Sequence, residues 1–191
     1  MANILLILGK ETSDFAKGEY NASLFQTALE HLREQGHACK TTVVEEGYNP
    51  EEEIEKFKWA DSIIFQYPVY WFMMPSSLKK YIDSVYAYGA FFGHGDGAYG
   101  SGGLMKGKQF MLSTTWNAPA DAFGDEAGFF EGASATDALA PMRNTQRFCG
   151  MDELAHFFAH DIIHKPNFEY HKAQFVQHLK AVFEQDVKLA V

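Results

Sequence analysis

The sequence predicts a doubly wound α/β fold, with a five-stranded parallel sheet in the order 2-1-3-4-5 and helices on both faces. Three observations predict it. Short continuous apolar runs, such as NILLIL at Asn3–Leu8 and SIIFQ at Ser62–Gln66, read as strands buried on both faces. Amphipathic helical patterns alternate with these runs, which implies parallel strands joined by crossover helices. Five such units in 191 residues suit one domain over 1–191, with insertions at about 89–103 and 116–135.

The elements follow in order. The first strand ends at Gly9, and a polar loop from Lys10 to Tyr20 leads into a helix from about Asn21. Leu24, Phe25, Ala28, Leu29 and Leu32 fall at helical spacing, and Gly36 sits where a C-terminal cap belongs. Ala38–Val44 reads as a partly exposed strand and Pro50–Lys58 as a short acidic helix. After the third strand, Ser62–Gln66, the residues Leu78, Tyr81, Ile82 and Val85 mark another helix, with Pro75 near its first turn. Gln109–Thr114 is the fourth strand. Pro141–Phe148 is a helix opened by proline and closed near Gly150, and Leu154–Ala159 is the fifth strand. The last helix runs from about Tyr170 to Leu189, with Val176, Leu179, Phe183 and Val187 on one face. Loops as long as the two insertions are more often functional than idle. The first holds seven glycines in the fifteen residues Gly89–Gly103.

Composition removes several function classes. Sixteen basic against 25 acidic residues give a net charge of −9, which opposes broad contact with nucleic acid or anionic lipid. Cys39 and Cys149 stand far apart with no CxxC or CxxH spacing, so neither a zinc site nor a disulfide framework is supported. The N-terminal apolar run, Ile4–Leu8, is too short for a signal-peptide core, and no stretch approaches a membrane span. These features predict a cytoplasmic protein without membrane insertion. Aromatic residues make up 15%, with 17 Phe, a surplus that suits a core, a flat-ligand pocket or a subunit interface.

Two motif matches fail on context. Gly102–Lys108 fits the start of a P-loop pattern but precedes a strand and is followed by Gln109 instead of Ser or Thr. His156, His160 and His164 have the spacing of helical metal ligands but lie on a strand and its exit loop, so no metal site is expected. His171 and His178 share a helix face with polar neighbours and read as solvated surface.

In such a sheet, ligands bind outside the carboxyl ends of the strands. Three segments should therefore act together. Gly9–Asn21 runs from a strand into a helix N-terminus, where amides and the helix dipole suit a phosphate, with Lys17, Gly18, Asn21 and Ser23 as added donors. Tyr67–Phe72 places aromatic rings and a proline at a strand end, which suits a flat heterocycle. Thr115–Pro119 is a turn whose amides could meet negative charge on a reduced flavin. Each has a plainer account: an ordinary strand-to-helix loop, a hydrophobic plug, a structural turn.

Together these segments resemble the modulator of drug activity B family, bacterial NAD(P)H:quinone oxidoreductases of the flavodoxin-like class. The resemblance runs through MANILLILG, GEYNASL, WADSIIFQYPVYWFMMPSSLKKYID, YGSGGL and TWNAP, nearly the whole chain. It implies that Ala16, Lys17, Gly18, Glu19, Tyr20, Asn21, Ala22 and Ser23 hold the diphosphate of FAD. It implies that Pro68, Val69, Tyr70 and Trp71, with Thr115, Trp116, Asn117 and Ala118, hold the isoalloxazine, and that Tyr99 contacts the cofactor from the glycine-rich insertion. The implied activity is a two-electron, ping-pong transfer from NADPH or NADH to a quinone, in a homodimer. Trp71, Phe72, Trp116 and Phe123 are the expected acceptor pocket, and Tyr70 and Tyr99 are candidate proton donors. Three alternatives stay open: an FMN-dependent azo or nitro reductase, a non-catalytic flavin-binding regulator of an ion-efflux system, and an electron-carrier flavodoxin.

Overall fold

The structure, a computed structural model, describes residues 1–14 and 16–183. Strands β1 (Asn3–Leu8), β2 (Ala38–Val43), β3 (Ser62–Pro68), β4 (Gln109–Thr115), β5 (Asp152–Glu153) and β6 (Phe157–Ala159) form one parallel sheet. Its order is β2-β1-β3-β4-β5, with β6 also paired to β4. The helices are α1 (Glu19–Glu34), α2 (Pro50–Trp59), α3 (Ser76–Val85), α4 (Ala135–Ala138), α5 (Ala140–Phe148) and α6 (Phe168–Phe183). The predicted strand order is the one observed.

Alternation along the buried strands feeds two cores, because successive side chains leave a strand on opposite faces. Leu5, Ile7, Ile63, Phe65, Phe110 and Leu112 pack with Phe57 of α2, Leu78, Ile82 and Val85 of α3, and Met142 of α5. Ile4, Leu6, Leu8, Ile64 and Met111 pack with Leu24, Ala28 and Leu32 of α1 and Phe175 and Leu179 of α6. Each face is covered, so the central strands carry apolar residues at almost every position.

Local chemistry sets the helix ends. Asn49 caps α2 by accepting hydrogen bonds from the Glu51 and Glu52 amides, and Pro50 opens the helix. Gly36, at φ 84°, follows α1 and lets the His37 amide reach the Leu32 carbonyl at 3.0 Å. A helix α1 starting at Glu19 begins two residues before the expected Asn21, because Gly18 takes a left-handed turn at φ 69° in place of a side-chain cap. The Ser134–Asp137 capping box forms α4, an element the apolar pattern did not mark.

The expected fifth strand, Leu154–Ala159, is instead two short strands separated at Leu154–His156. The His156 ring causes the break. Its Nδ1 accepts a hydrogen bond of 3.2 Å from the Leu112 amide of β4, standing where a strand carbonyl would. Burial lowers the His156 pKa, although Glu153 at 2.8 Å from Nε2 pulls the other way. A lowered folded-state pKa favours the neutral ring. The stabilisation is therefore complete above about pH 6.5, the unfolded value, and is lost as pH falls through the folded one. His156→Asn keeps an acceptor without the titration. Urea unfolding from pH 8 to 5 is expected to show a shallower loss of stability in this variant than in the wild type; equal slopes would contradict the assignment.

The last helix also differs from expectation. His171, Phe175, Leu179 and Phe183 form its buried face, Val176 is half-buried, and the expected Val187 lies outside the described residues. His171 is not solvated: its Nδ1 is hydrogen-bonded to the Tyr20 hydroxyl, tying α6 to α1. His178 Nε2 donates to the Ala155 carbonyl at 2.9 Å. His156, His160 and His164 lie outside any helix. Among the described residues, no group of three or more His, Cys, Asp or Glu is placed to hold a metal ion. Among those residues no helix is long and apolar enough to cross a membrane.

Candidate functional site

Parallel pairing puts the C-terminal ends of β1, β3 and β4 side by side. The Gly9 amide donates to the Gln66 carbonyl at 2.9 Å, and the Val69 amide to the Thr115 carbonyl at 3.0 Å. The three predicted segments are thus brought together. A Cβ on Gly9 would stand 2.7 Å from the Leu78 side chain, so the first loop leaves the sheet in close contact with α3.

The first segment ends at the N-terminus of α1. No side chain caps this helix, and among the described residues no acceptor takes the Glu19, Tyr20 or Asn21 amides. Open amides at the positive end of a helix dipole form an anion site. Lys17, Glu19 and Ser23 are exposed, and Ala16, Gly18, Tyr20 and Ala22 are half-buried. Asn21 departs from expectation because its side chain turns inward. Asn21 Nδ2 donates to Thr115 Oγ1 at 2.9 Å, and Asn21 Oδ1 accepts from Gln66 Nε2 at 2.8 Å. Gln66 Oε1 in turn accepts from Ser113 Oγ at 2.6 Å. All four residues are buried, so this chain locks the first turn of α1 to β3 and β4. Thr115 likewise directs its side chain into the network. Gln66 and Ser113 escaped the sequence reading, although a lone Gln closing an apolar strand was a signal for them.

Glu11 anchors the same loop to α3. Its carboxylate accepts from Ser76 Oγ at 2.7 Å and from the Ser77 amide. Partial burial raises its pKa, but the hydrogen bonds from Ser77 and Ser76 prevail and hold it below the usual carboxylate range. The N-terminus of α3 is thereby filled from within the protein, unlike that of α1.

The second segment forms a tight turn. Tyr70 and Met73 exchange backbone hydrogen bonds of 2.8 and 3.0 Å across Trp71 and Phe72. Trp71 has φ 49° and Phe72 φ 64°. Two consecutive positive φ values mark a type I′ turn, a conformation usually given to Asn and Gly. Two bulky aromatics there store strain of about 1–3 kcal/mol each. Trp71 is 90% exposed, so burial does not repay it. Trp71→Asn is expected to raise the unfolding free energy by about 1 kcal/mol in urea titration, since Asn tolerates the left-handed region; a fall in stability would contradict the strain. Burial, followed by the charge of Glu11, raises the Tyr70 pKa, so this hydroxyl keeps its proton.

In the third segment the Asn117 and Ala118 amides have no acceptor among the described residues. Asn117 is exposed and Ala118 half-buried. Trp116 departs from expectation: it is only 2% exposed, and its Nε1 donates to Thr114 Oγ1 at 2.8 Å, making it a core wall instead of an open pocket lining. From it an aromatic run leads outward. Phe123 meets Trp116 edge-on at 5.1 Å, Phe130 stacks on Phe123 at 4.3 Å, and Phe129 stacks on Phe72 at 5.5 Å. Phe72 and Phe123 thus join one aromatic wall through Phe130, while Trp71 stands apart from it.

Tyr99 is not brought to the strand ends within this chain. It is 98% exposed, its ring lies 5.6 Å from that of Phe148, and it borders an open hollow of about 850 Å³ between α3, α5 and the glycine-rich insertion. That hollow does not coincide with the loop cluster.

Residues 2–182 match the family described as flavodoxin-like fold. The chain is 40% identical to the NADPH:quinone oxidoreductase MdaB of Haemophilus influenzae, over 95% of this chain and 99% of that one. It is 36% identical to an uncharacterised protein of Schizosaccharomyces pombe, over 94% and 96% of the two chains. Among solved structures, a proposed quinone reductase of Klebsiella pneumoniae superposes with a TM-score of 0.81 at 23% identity, covering 96% of this chain and 86% of that one. With its parallel 2-1-3-4-5 sheet and its likeness along nearly the full length to modulator of drug activity B, the chain belongs to the flavodoxin-like fold family and, within it, to the modulator of drug activity B group.

Proposed function

We propose that the chain is an FAD-dependent NAD(P)H:quinone oxidoreductase that works by two-electron, ping-pong transfer. The observation that carries this reading is the convergence of three strand-end loops beside an aromatic wall, with open backbone amides in the loops after β1 and β4. The name of the Haemophilus relative supports it. A bound flavin supplies the ring that accepts hydride from the nicotinamide and passes it to the quinone.

The residues present fit such a group. Lys17 and the amides of Glu19, Tyr20 and Asn21 would hold the diphosphate, with Ala16, Gly18, Ala22 and Ser23 framing it. Pro68–Trp71 and Thr115–Ala118 would bracket the ring, with the Asn117 and Ala118 amides stabilising negative charge at its polar edge. A groove of about 450 Å³ along α1 and α6, lined by Ser23, Gln26, Phe168 and Lys172, abuts the open helix end and supports FAD over FMN by offering room for an adenosine. Phe72, Phe123 and Phe130 would exclude water and bind a flat acceptor. Tyr70, held protonated, can donate a hydrogen bond to a quinone oxygen. Tyr99 would reach a flavin only from a second copy, which supports a homodimer. Free Cys39 and Cys149 suit the reducing cytoplasm.

The test is steady-state oxidation of NADPH and NADH by the purified protein with menadione, together with chromatography of the released cofactor. FAD and a menadione-dependent rate are expected. FMN with turnover of azo or nitro compounds would favour the reductase alternative, and bound flavin without turnover a regulatory flavoprotein.

A further inference from the structure

The histidine series contains one member, His160, that packs against the third strand-end loop. It sits just beyond β6, stacked at 6.4 Å on Trp116 and tilted at 5.4 Å to Phe123. Its Nδ1 lies 3.3 Å from the Ala118 carbonyl. A carbonyl only accepts, so Nδ1 carries the proton. The next residue, Asp161, has φ 54°, a value unusual for a side chain-bearing residue. That turn aims the Asp161 amide at the same Ala118 carbonyl, at 3.2 Å. On either side the Trp116 amide donates to Ala159 at 2.8 Å, and the Ile162 amide to Trp116 at 3.1 Å. Among the described residues, the backbone hydrogen bonds of residues 116–118 thus all run to residues 159–162.

A peptide unit is planar, so holding the Trp116 carbonyl fixes the Asn117 amide of the same unit, and pinning the Ala118 carbonyl on the far side restricts the dihedrals of the unit between them, which carries the Ala118 amide. Asn117 and Ala118 carry those amides. We propose that His160 and Asp161 are positioning residues, which aim the Asn117 and Ala118 amides at the negatively charged edge of a reduced flavin. The inference rests on the flavin reading above. Neither residue touches the cofactor; both act through Ala118. The strain at Asp161 has a role in this account, because a relaxed φ would turn its amide away.

The experiment compares wild type with His160→Leu, His160→Asn, Asp161→Val and Asp161→Gly. Three quantities are read: hydrogen exchange at the Asn117 and Ala118 amides without flavin, FAD affinity by fluorescence quenching, and the two-electron midpoint potential. His160→Leu and Asp161→Val are expected to speed exchange at both amides. They are expected to weaken binding of the reduced flavin about tenfold more than that of the oxidised flavin, the scale of one hydrogen bond. That ratio lowers the potential by about 30 mV. His160→Asn restores a donor and Asp161→Gly eases the positive φ, so both should stay within about twofold of wild type. Wild type that takes up FAD, alongside Leu and Val variants with unchanged exchange and potential, overturns the positioning role alone. Equal losses in His160→Asn and His160→Leu overturn it too, by assigning the effect to ring packing. A wild-type protein that takes up no FAD overturns the flavin reading and the positioning role with it.

Discussion

Replacing Gln66 with Leu is expected to lower the unfolding free energy by about 3 kcal/mol. The substitution leaves Asn21 Oδ1 without its donor and Ser113 Oγ without its acceptor, both inside the protein. Each stranded polar group costs about 1–3 kcal/mol, and leucine restores little because the position is already filled. The loss should extend beyond stability. Asn21 lies in the first turn of α1, so losing its orientation loosens the open amides there, and FAD affinity should fall more than in a surface variant such as Lys58→Ala. Urea denaturation and flavin titration measure the two effects. Gln66→Glu keeps an acceptor for Ser113 and, when protonated at acidic pH, an O–H donor for Asn21, so it should fall between wild type and Leu there and lose stability as rising pH ionises it and removes that donor.

Gly18→Val is expected to cost about 2 kcal/mol and to weaken FAD binding at least tenfold, by about 1.4 kcal/mol or more. Gly18 stands at φ 69°, where a β-branched residue is an outlier, and its new Cβ would come within 2.7 Å of the Lys10 side chain. Lys10 can move aside, though it is ion-paired with Glu45, so strain in the backbone costs more than the side-chain clash. Relaxing φ would redirect the chain as it enters α1 and close the uncapped helix end. Gly18→Asn, comfortable in the left-handed region, should recover most of both losses. Thermal unfolding with flavin titration distinguishes a loop effect from general destabilisation, since the latter leaves affinity below the melting range unchanged.

These effects show which parts of the molecule were legible beforehand. NILLIL and SIIFQ announced buried parallel strands because both faces of the sheet are covered, and their succession with amphipathic helices was enough for the sheet order. The candidate site was legible as three neighbouring loops, since topology alone carries the ends of β1, β3 and β4 together. What lies between those loops was not. Asn21 read equally well as an outward donor, and only the positions of Gln66 and Thr115 turn it inward. Trp116 read as a pocket wall, yet Thr114 offers its indole a buried acceptor. His156 replaces a strand carbonyl with a ring nitrogen and splits β5 from β6, an exchange that no hydrophobic pattern encodes. His171 read as solvated because its neighbours in sequence are polar, while its partner, Tyr20, is 151 positions away. Tyr99 follows family resemblance in sequence but lies on another face in space.

In the proposed function, the loops after β1, β3 and β4 surround one flavin, with open amides contributed by the first and the third. Anaerobic titration of the flavin-free protein with FAD, followed by NADPH and then menadione, tests it most directly. Saturable uptake at one FAD per chain is expected, with bleaching of the visible absorbance by NADPH, its return with the quinone, and diminished uptake in Gly18→Val. A protein that stays colourless with excess FAD, or one whose uptake is indifferent to Gly18→Val and Gln66→Leu alike, would contradict it.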